Sequence, residues 1–148
     1  MARRRDPNEF IDTFGAVKRC ITAAAGQAYA ALEIGSTQAK FLRHIGKHSR
    51  ISQAELARAT ETDPGLTGRT LQSLIERGWV LRARSDEDRR EYVLELGPEG
   101  RRAVARVEKQ RLQLGERVVA ALDERDLDDF DRIAKKILAA FAASETKG

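Results

Sequence analysis

Three polar side chains on one predicted helix have the types and spacing that reading DNA requires. Arg69, Gln72 and Ser73 share one face of the segment 64–77. The opposite face carries an apolar stripe at helical spacing, which consists of Thr67, Leu71, Leu74 and Ile75. Guanidinium, amide and hydroxyl groups near the start of a helix can hydrogen-bond to base edges and phosphates in a major groove. We therefore predict that Arg69, Gln72 and Ser73 contact DNA.

A second candidate group lies in the charged turn SDEDRRE, further along the chain. Arg89 and Arg90 follow Asp86 and Asp88 in this turn. One arginine can pair with an aspartate and stiffen the turn, which leaves the other free for a minor groove or for phosphates. A charged turn by itself is most often only solvated. Its position directly after the predicted DNA-reading helix favours binding by Arg89 and Arg90, with Asp86 and Asp88 supplying the wing ion pair.

Two short helices must position these side chains. Ser52 begins an S-x-x-E capping box at the start of the first helix, where Ser52 and Gln53 are further candidate DNA contacts. The sequence ETDPG then interrupts the helix. Asp63 is a good N-cap for the second helix, and Pro64 fits its first position. Gly78 is typical of a residue that ends a helix.

Gly65 and Gly68 are unusual inside the second helix, because a helical glycine costs roughly 1 kcal/mol relative to alanine. A missing side chain would let DNA approach the backbone closely, so both glycines are candidate DNA contacts. For Gly65 the alternative is that it merely occupies the first turn. The sequence leaves these two interpretations open.

A small β-ribbon follows the second helix. Residues 79–81 form a short apolar strand, and the returning segment 92–96 alternates apolar and polar residues. Gly97 and Pro98 close the ribbon. Helix, turn, helix and ribbon in this order predict a winged helix-turn-helix domain over residues 36–97. The predicted fold class is therefore mainly α with a small β-hairpin wing.

Long helices are predicted on both sides of this domain. Residues 9–34 repeat apolar side chains at helical spacing, and residues 98–143 contain a helix to about Leu122 followed by a last helix. Their apolar faces exceed what a small winged domain covers, so we expect these dimerisation helices to pair across a two-fold axis. Residues 1–8, with three arginines, are predicted to be a flexible arm.

Composition restricts the class of protein. The 148 residues are 41% hydrophobic and 34% charged, which suits one domain with long solvent-facing helices. Neither an apolar run long enough to cross a membrane nor a signal-peptide pattern is evident, so a cytoplasmic protein is expected. Residues 1–50 carry 9 Lys and Arg against 4 Asp and Glu, whereas the remaining residues carry 18 against 19. Because the DNA-reading region is not strongly basic, element order rather than charge indicates DNA binding.

Other chemistry has little support among the residues. Paired carboxylates, an activated nucleophile and a metal motif are not evident, so we expect neither an enzyme nor a bound cofactor. His44 and His48 have the i, i+4 spacing that can chelate zinc, but a third ligand is not evident nearby and no metal site is predicted. Cys20 is the single cysteine, and we expect it to be a small packing residue.

The chain resembles the MarR family of regulators, named for multiple antibiotic resistance. The resemblance rests on ISQAELA in the first short helix, LTGRTLQSLIERGWVLR in the second, and SDEDRREYVLELGPEG in the wing and the next helix start. It covers nearly the whole chain in element order. One departure is that Gly65, Leu66 and Gly68 stand where the family often has polar side chains. Base reading is therefore expected to rest mainly on the three polar side chains of the helix.

The resemblance implies a homodimeric repressor that binds double-stranded DNA at a pseudo-palindromic operator and is released by a small aromatic or anionic ligand. The ligand would lie between the dimer helices and the winged domain, where Phe41, Arg43 and His44 are candidate lining residues. Two alternatives stay open. The winged domain could serve protein interaction without reading DNA, or the dimer could sense oxidants through Cys20, as some members of the family do with a cysteine on the first helix.

Overall fold

Helices dominate the fold, with a two-stranded ribbon between the fourth and fifth of them. The structure, a computed structural model, describes residues 5–145, so Arg3 and Arg4 of the predicted arm lie outside the described residues. In chain order the elements are α1 (Pro7–Ala30), α2 (Ser36–Lys47), α3 (Gln53–Ala59), α4 (Pro64–Glu76), β1 (Val80–Arg84), β2 (Tyr92–Leu96), α5 (Pro98–Val119) and α6 (Glu124–Glu145). This order confirms the predicted mainly α fold with a β-hairpin wing. None of the helices within the described range is long and apolar enough to cross a membrane.

The described residues form two compact units, one up to Leu112 and one from Gln113 onward. The first unit is built around one aliphatic core. Its fully buried large side chains are Ile34, Phe41, Leu42, Ile45, Leu56, Leu71, Leu74, Val80, Leu94 and Val107. Because Leu71 and Leu74 of α4 are completely buried, the opposite face of α4 is turned outward.

α1 begins earlier and ends earlier than the predicted helix over residues 9–34. The Asp6 carboxylate accepts a hydrogen bond of 2.9 Å from the backbone N–H two residues later, and Pro7 occupies the first helical position. Residues 7 and 8 are therefore helical and do not belong to the predicted flexible arm. At the other end α1 stops at Ala30, because the chain turns away through Glu33 in the left-handed conformation, with φ of 58°.

The caps of α3 and α4 form as the sequence predicts. Ser52 Oγ accepts from the Glu55 N–H at 3.1 Å, and the Glu55 carboxylate accepts from the Ser52 N–H at 3.1 Å. Asp63 caps α4 ahead of Pro64. After α4 the chain passes through Gly78 with φ of 71°, a left-handed conformation that glycine adopts without strain. The short helices are therefore fixed by local hydrogen bonds.

The wing is an antiparallel pair in which Val80 lies opposite Leu96 and Arg84 lies opposite Tyr92. β1 is longer than the predicted strand over residues 79–81. The difference arises because the backbone ladder continues through charged residues, which have no apolar pattern to predict a strand. Arg84 also stacks on Tyr92, with its guanidinium carbon 4.8 Å from the ring centroid.

The loop between α2 and α3 joins the wing. The Leu94 N–H donates to the Ile51 carbonyl at 2.7 Å, and the Arg50 N–H donates to the Leu94 carbonyl at 3.1 Å. The backbone bridge was not predictable, because it joins segments that are far apart in the chain.

The start of α5 approaches the turn between α4 and β1 very closely. A Cβ atom at Gly100 would lie 1.9 Å from the carbonyl oxygen of Trp79, which no side chain could tolerate. The same carbonyl accepts a hydrogen bond of 3.0 Å from the Gly97 N–H. The two glycines of the GPEG sequence therefore allow the start of α5 to pack against the base of the wing.

The second unit contains the end of α5 and all of α6. α5 ends at Val119, before the predicted end at Leu122. Asp123 and Asp126 cap α6 reciprocally, since the N–H of each donates to the carboxylate of the other, at 3.1 and 2.8 Å. α6 carries large apolar side chains that are exposed in the single chain, namely Phe130, Ile133, Leu138 and Phe141.

Candidate nucleic-acid interface

The outward face of α4 presents two of the predicted reading residues. Arg69 and Gln72 are both exposed. The Gln72 amide donates to the Glu76 carboxylate at 3.2 Å, and because this bond is exposed, water or a nucleotide base can replace it. Arg69 and Gln72 are therefore in reach of a macromolecule that docks on this face.

Ser73 has a different position from the one predicted. Its hydroxyl oxygen accepts a hydrogen bond of 2.7 Å from the side-chain amide of Gln38 and is half-buried. Gln38 lies in α2, where its side-chain oxygen also accepts from the Gly35 N–H at 2.9 Å. We therefore interpret Ser73 as a residue that ties α4 to α2, rather than as one that reads bases.

Arg77 also connects α4 to the rest of the protein, and the sequence did not predict this role. Its guanidinium carbon lies 3.5 Å from the centroid of the Trp79 ring, a cation–π contact. One of its terminal nitrogens donates to the carbonyl of Glu33 at 2.8 Å. The sequence RGW could have suggested the stacking, but nothing local indicates Glu33 as a partner. The C-terminal end of α4 is thus fixed to the turn that follows α1.

The two glycines of α4 differ in their surroundings. A Cβ atom at Gly65 would lie 3.1 Å from the Asp63 carboxylate, which accepts the Gly65 N–H at 2.7 Å. A side chain at position 65 would therefore crowd the carboxylate that caps α4, and glycine avoids this close contact. At Gly68 the nearest atom to an added Cβ is the Gln53 amide nitrogen at 3.7 Å, an ordinary contact. Nothing in the described part of the chain requires glycine at 68, which favours close approach of a partner there.

The two candidates at the start of α3 lie at the edge of this face. Ser52 uses its oxygen as the helix cap, which leaves its hydroxyl hydrogen able to donate. Gln53 is exposed and faces Gly68 of α4. Both remain candidate contacts for a docked nucleic acid.

The tip of the wing is an ordered turn. The Ser85 N–H donates to the Glu91 carbonyl at 3.0 Å, and the Asp88 carboxylate accepts from the Arg90 N–H at 3.0 Å. Asp88 thus stiffens the turn through a backbone hydrogen bond rather than through the predicted ion pair with an arginine side chain.

Asp86 forms an ion pair, but its partner lies outside the turn. Its carboxylate is 3.3 Å from the guanidinium of Arg50, which precedes α3. Arg84 in turn donates to the backbone carbonyl of Arg89 at 2.6 Å. The side chains of Arg89 and Arg90 are exposed and remain candidate DNA contacts.

Of the three residues predicted to line a ligand crevice, the structure separates Phe41 from Arg43 and His44. Phe41 is fully buried in the core because it lies on the apolar side of α2, so it does not line a crevice. Arg43 pairs with Glu108 of α5 at 2.6 Å. His44 lies beside Arg43 in a cavity of about 250 Å³ between α2 and the end of α3.

A larger cavity of about 610 Å³ lies between the C-terminal end of α2, β2 and α5. Four cationic side chains line it, namely Arg43, Lys47, Arg50 and Arg101. Its two carboxylates already have arginine partners, because Glu108 pairs with Arg43 and Glu95 pairs with Arg50 at 2.5 Å. The cavity therefore carries an excess of positive charge, with an apolar wall that includes Leu96 and Val104.

The histidine pair lies at the end of α2, and the cysteine lies in α1. His44 and His48 have ring centroids 4.5 Å apart. Burial, followed by the neighbouring charges of His48 and Lys47, lowers the pKa of His44 below 6.5. Within residues 5–145 no cluster of three or more potential metal ligands occurs. Cys20 is exposed in the single chain, and its expected role as a small packing residue stays a prediction.

Comparisons with known proteins agree with this geometry. Residues 33–91 match the model of the MarR family. The HTH-type transcriptional regulator BilQ of Clostridium symbiosum is 27% identical over 97 residues, which cover 66% of this chain and 67% of that relative. Staphylococcus aureus MarR in complex with salicylate and kanamycin has a TM-score of 0.80 at 22% identity, with 92% of both chains covered. A MarR variant from E. coli complexed with operator DNA has a TM-score of 0.73 at 22% identity, covering 90% of this chain and 99% of that one.

The fold and the outward face of α4 define a winged helix-turn-helix protein. The matched segment contains α2, α3, α4 and β1 and continues into the wing turn. Over residues 33–91 the chain is thus similar to the MarR family, and the relative BilQ is a transcriptional regulator.

Proposed function

We propose that this protein is a homodimeric repressor that binds a pseudo-palindromic operator and leaves it when a small anionic ligand binds. The observation that carries the proposal is the outward face of α4, where Arg69 and Gln72 are exposed ahead of a wing that exposes Arg89 and Arg90. A helix of this kind enters a major groove, and arginines of a wing reach the backbone or the minor groove. The complex of the E. coli relative with operator DNA supports the same assignment.

The first experiment measures binding to the DNA upstream of the protein's own gene by fluorescence anisotropy over a salt series. We expect Arg69→Ala to weaken binding to this sequence by about tenfold to hundredfold and to reduce discrimination against random DNA. We expect Arg89→Ala to weaken binding to all sequences and to lower the salt slope by about one. Arg132→Ala is the matched control, since Arg132 is an exposed arginine of α6.

Two results would contradict the DNA-reading role. One is an absence of binding by the wild-type protein at low salt. The other is equal binding to random DNA that neither Arg69→Ala nor Arg89→Ala changes. In both cases the winged domain would be better explained as a protein-interaction module.

The proposed dimer is supported by apolar surface on two helices. α1 exposes Phe10, Ile11, Phe14 and Val17 in the single chain, with relative exposures of 46–64%. α6 separately exposes four large apolar side chains of its own. Association with a second copy would remove such surfaces from water. A two-fold dimer would place its recognition helices about 34 Å apart, one turn of DNA, which accounts for a pseudo-palindromic operator.

The ligand is proposed to bind in the 610 Å³ cavity between α2, β2 and α5. Its excess positive charge and apolar wall suit a small aromatic carboxylate. Salicylate is the probe, because the S. aureus relative is complexed with it. We expect salicylate to dissociate the protein–DNA complex, and Lys47→Ala to raise the concentration required. Dissociation that Lys47→Ala and Arg101→Ala leave unchanged would place the ligand elsewhere.

A further inference from the structure

The loop before α3 contains an arginine whose contacts all point to the wing. Arg50 has φ of 63°, a left-handed backbone conformation that side chains other than glycine rarely adopt. In this conformation its N–H donates to the carbonyl of Leu94 in β2 at 3.1 Å. The backbone of Arg50 is therefore hydrogen-bonded to β2, and the side chain of Arg50 begins beside this strand.

The guanidinium of Arg50 contacts both strands of the wing and the turn between them. Nη1 donates to the Glu95 carboxylate of β2 at 2.5 Å. Nη2 donates to the backbone carbonyl of Arg84, the last residue of β1, at 3.0 Å. The same nitrogen is 3.3 Å from the Asp86 carboxylate in the turn. One planar, permanently charged group thus spans three points of the wing.

These contacts continue toward the wing tip. Arg84, whose carbonyl accepts from Arg50, donates from its own guanidinium to the backbone carbonyl of Arg89 at 2.6 Å. Hydrogen bonds therefore link Arg50 through Arg84 to the backbone that carries Arg89. The exposed side chain of Arg89 is the group that would touch DNA.

We propose that Arg50 is a positioning residue for DNA binding: it clamps both strands of the wing to the turn between them and thereby holds Arg89 in the orientation that reaches the DNA backbone or minor groove. The inference rests on the proposed DNA-binding function. Arg50 acts through the wing and does not itself contact nucleic acid. Because its ion pairs are partly exposed, they contribute little to global stability, and their effect lies in the mobility of the wing.

The clamp is tested first without DNA. Hydrogen exchange of the free protein is followed in peptides from the wing and from α4, for the wild type, Arg50→Ala and Arg50→Lys. We expect Arg50→Ala to accelerate exchange in the wing by about tenfold while α4 keeps its wild-type rate, and Arg50→Lys to restore only part of the protection. Arg58→Ala, which removes an exposed arginine from α3, is the control and should leave the wing unchanged. Wing exchange at the wild-type rate in Arg50→Ala would overturn the proposal.

The consequence for DNA binding is tested by a double-mutant cycle. We expect Arg50→Ala to weaken binding by about tenfold, and Arg89→Ala to add little further loss in the Arg50→Ala background. Arg69→Ala should instead act additively with Arg50→Ala, because Arg69 lies on α4. Additive effects of Arg50→Ala and Arg89→Ala would show that Arg50 acts independently of the wing and would overturn the proposal. Should Arg50→Ala not fold, Glu95→Gln and Asp86→Asn each remove one contact of the clamp and are measured in the same two ways.

The two experiments separate failure of this inference from failure of the proposed function. Loss of wing protection in Arg50→Ala without any DNA binding by the wild type would contradict the function but support the clamp. Normal DNA binding with an unchanged wing in Arg50→Ala would contradict the clamp and leave the function intact.

Discussion

The polar residues of α4 fall into two groups. Some bind other parts of the protein and fix the position of the helix, whereas others stay exposed to solvent. Ser73 and Arg77 are used within the protein, through hydrogen bonds to Gln38 and to the carbonyl of Glu33. Arg69 and Gln72 stay exposed. The exposed surface is thus narrower than the polar face of the helix, because part of that face contacts α2 and the turn after α1.

Gly68 gives a prediction with opposite signs for stability and for binding. Because an added Cβ meets only ordinary contacts, Gly68→Ala should raise the free energy of unfolding by about 1 kcal/mol, the helix penalty of glycine. The same methyl group would hold the α4 backbone away from DNA, so operator affinity should fall by about fivefold or more. Urea unfolding and fluorescence anisotropy measure the two effects.

Ala105→Gly on α5 serves as the reciprocal control for Gly68→Ala. It should lower the free energy of unfolding by about 1 kcal/mol and leave DNA affinity unchanged, since Ala105 lies on α5 and not on the outward face of α4. Unchanged or tighter operator binding by Gly68→Ala would show that glycine at this position has no role in DNA approach.

At the scale of elements, the wing is positioned by contacts at its base. The GPEG sequence brings the start of α5 against Trp79, and the loop before α3 bridges β2. A two-stranded ribbon alone is marginally stable, so these neighbours are what holds the wing in one orientation. The orientation of the wing therefore depends on residues that do not belong to it.

Gly100→Ala tests the seat of α5. An added Cβ would lie 1.9 Å from the Trp79 carbonyl, so the backbone must move and the free energy of unfolding should fall by about 1–3 kcal/mol. Urea unfolding followed by circular dichroism provides the measurement. Gly68→Ala is the matched control, since the same substitution meets no close atom there. Wild-type stability of Gly100→Ala would contradict the close approach.

The whole molecule acts, in our proposal, as a pair of chains. A single winged domain contacts one half-site, and linking two domains raises the overall affinity without any new contact. The apolar side chains that α1 exposes in the single chain are the feature that such pairing would explain.

Phe14→Glu tests this pairing, because Phe14 is 55% exposed in the single chain and a charge there opposes burial against a second copy. We expect monomers in analytical ultracentrifugation and operator affinity at least about a hundredfold weaker, as avidity is lost. Gln27→Glu introduces the same charged side chain at an exposed polar position of α1 and should remain dimeric. A Phe14→Glu protein that stays dimeric would remove α1 from the interface.

The sequence by itself determined those features that depend on neighbours along the chain. Caps, helical periodicity and turn residues act within a few positions, so the order of elements, the caps at Ser52 and Asp63 and the left-handed Gly78 were all predictable. Periodicity also identified the outward face of α4 that carries Arg69 and Gln72. The glycines of GPEG are visible in the sequence, but the close approach of Gly100 to the Trp79 carbonyl was not predictable from it.

Only the tertiary structure decided which polar groups find partners inside the protein. Ser73 bonds to Gln38, and Asp86 pairs with Arg50. Each of these contacts joins segments that are distant in the chain. Long-range partners depend on how the elements pack, and no local pattern of residue types encodes that packing.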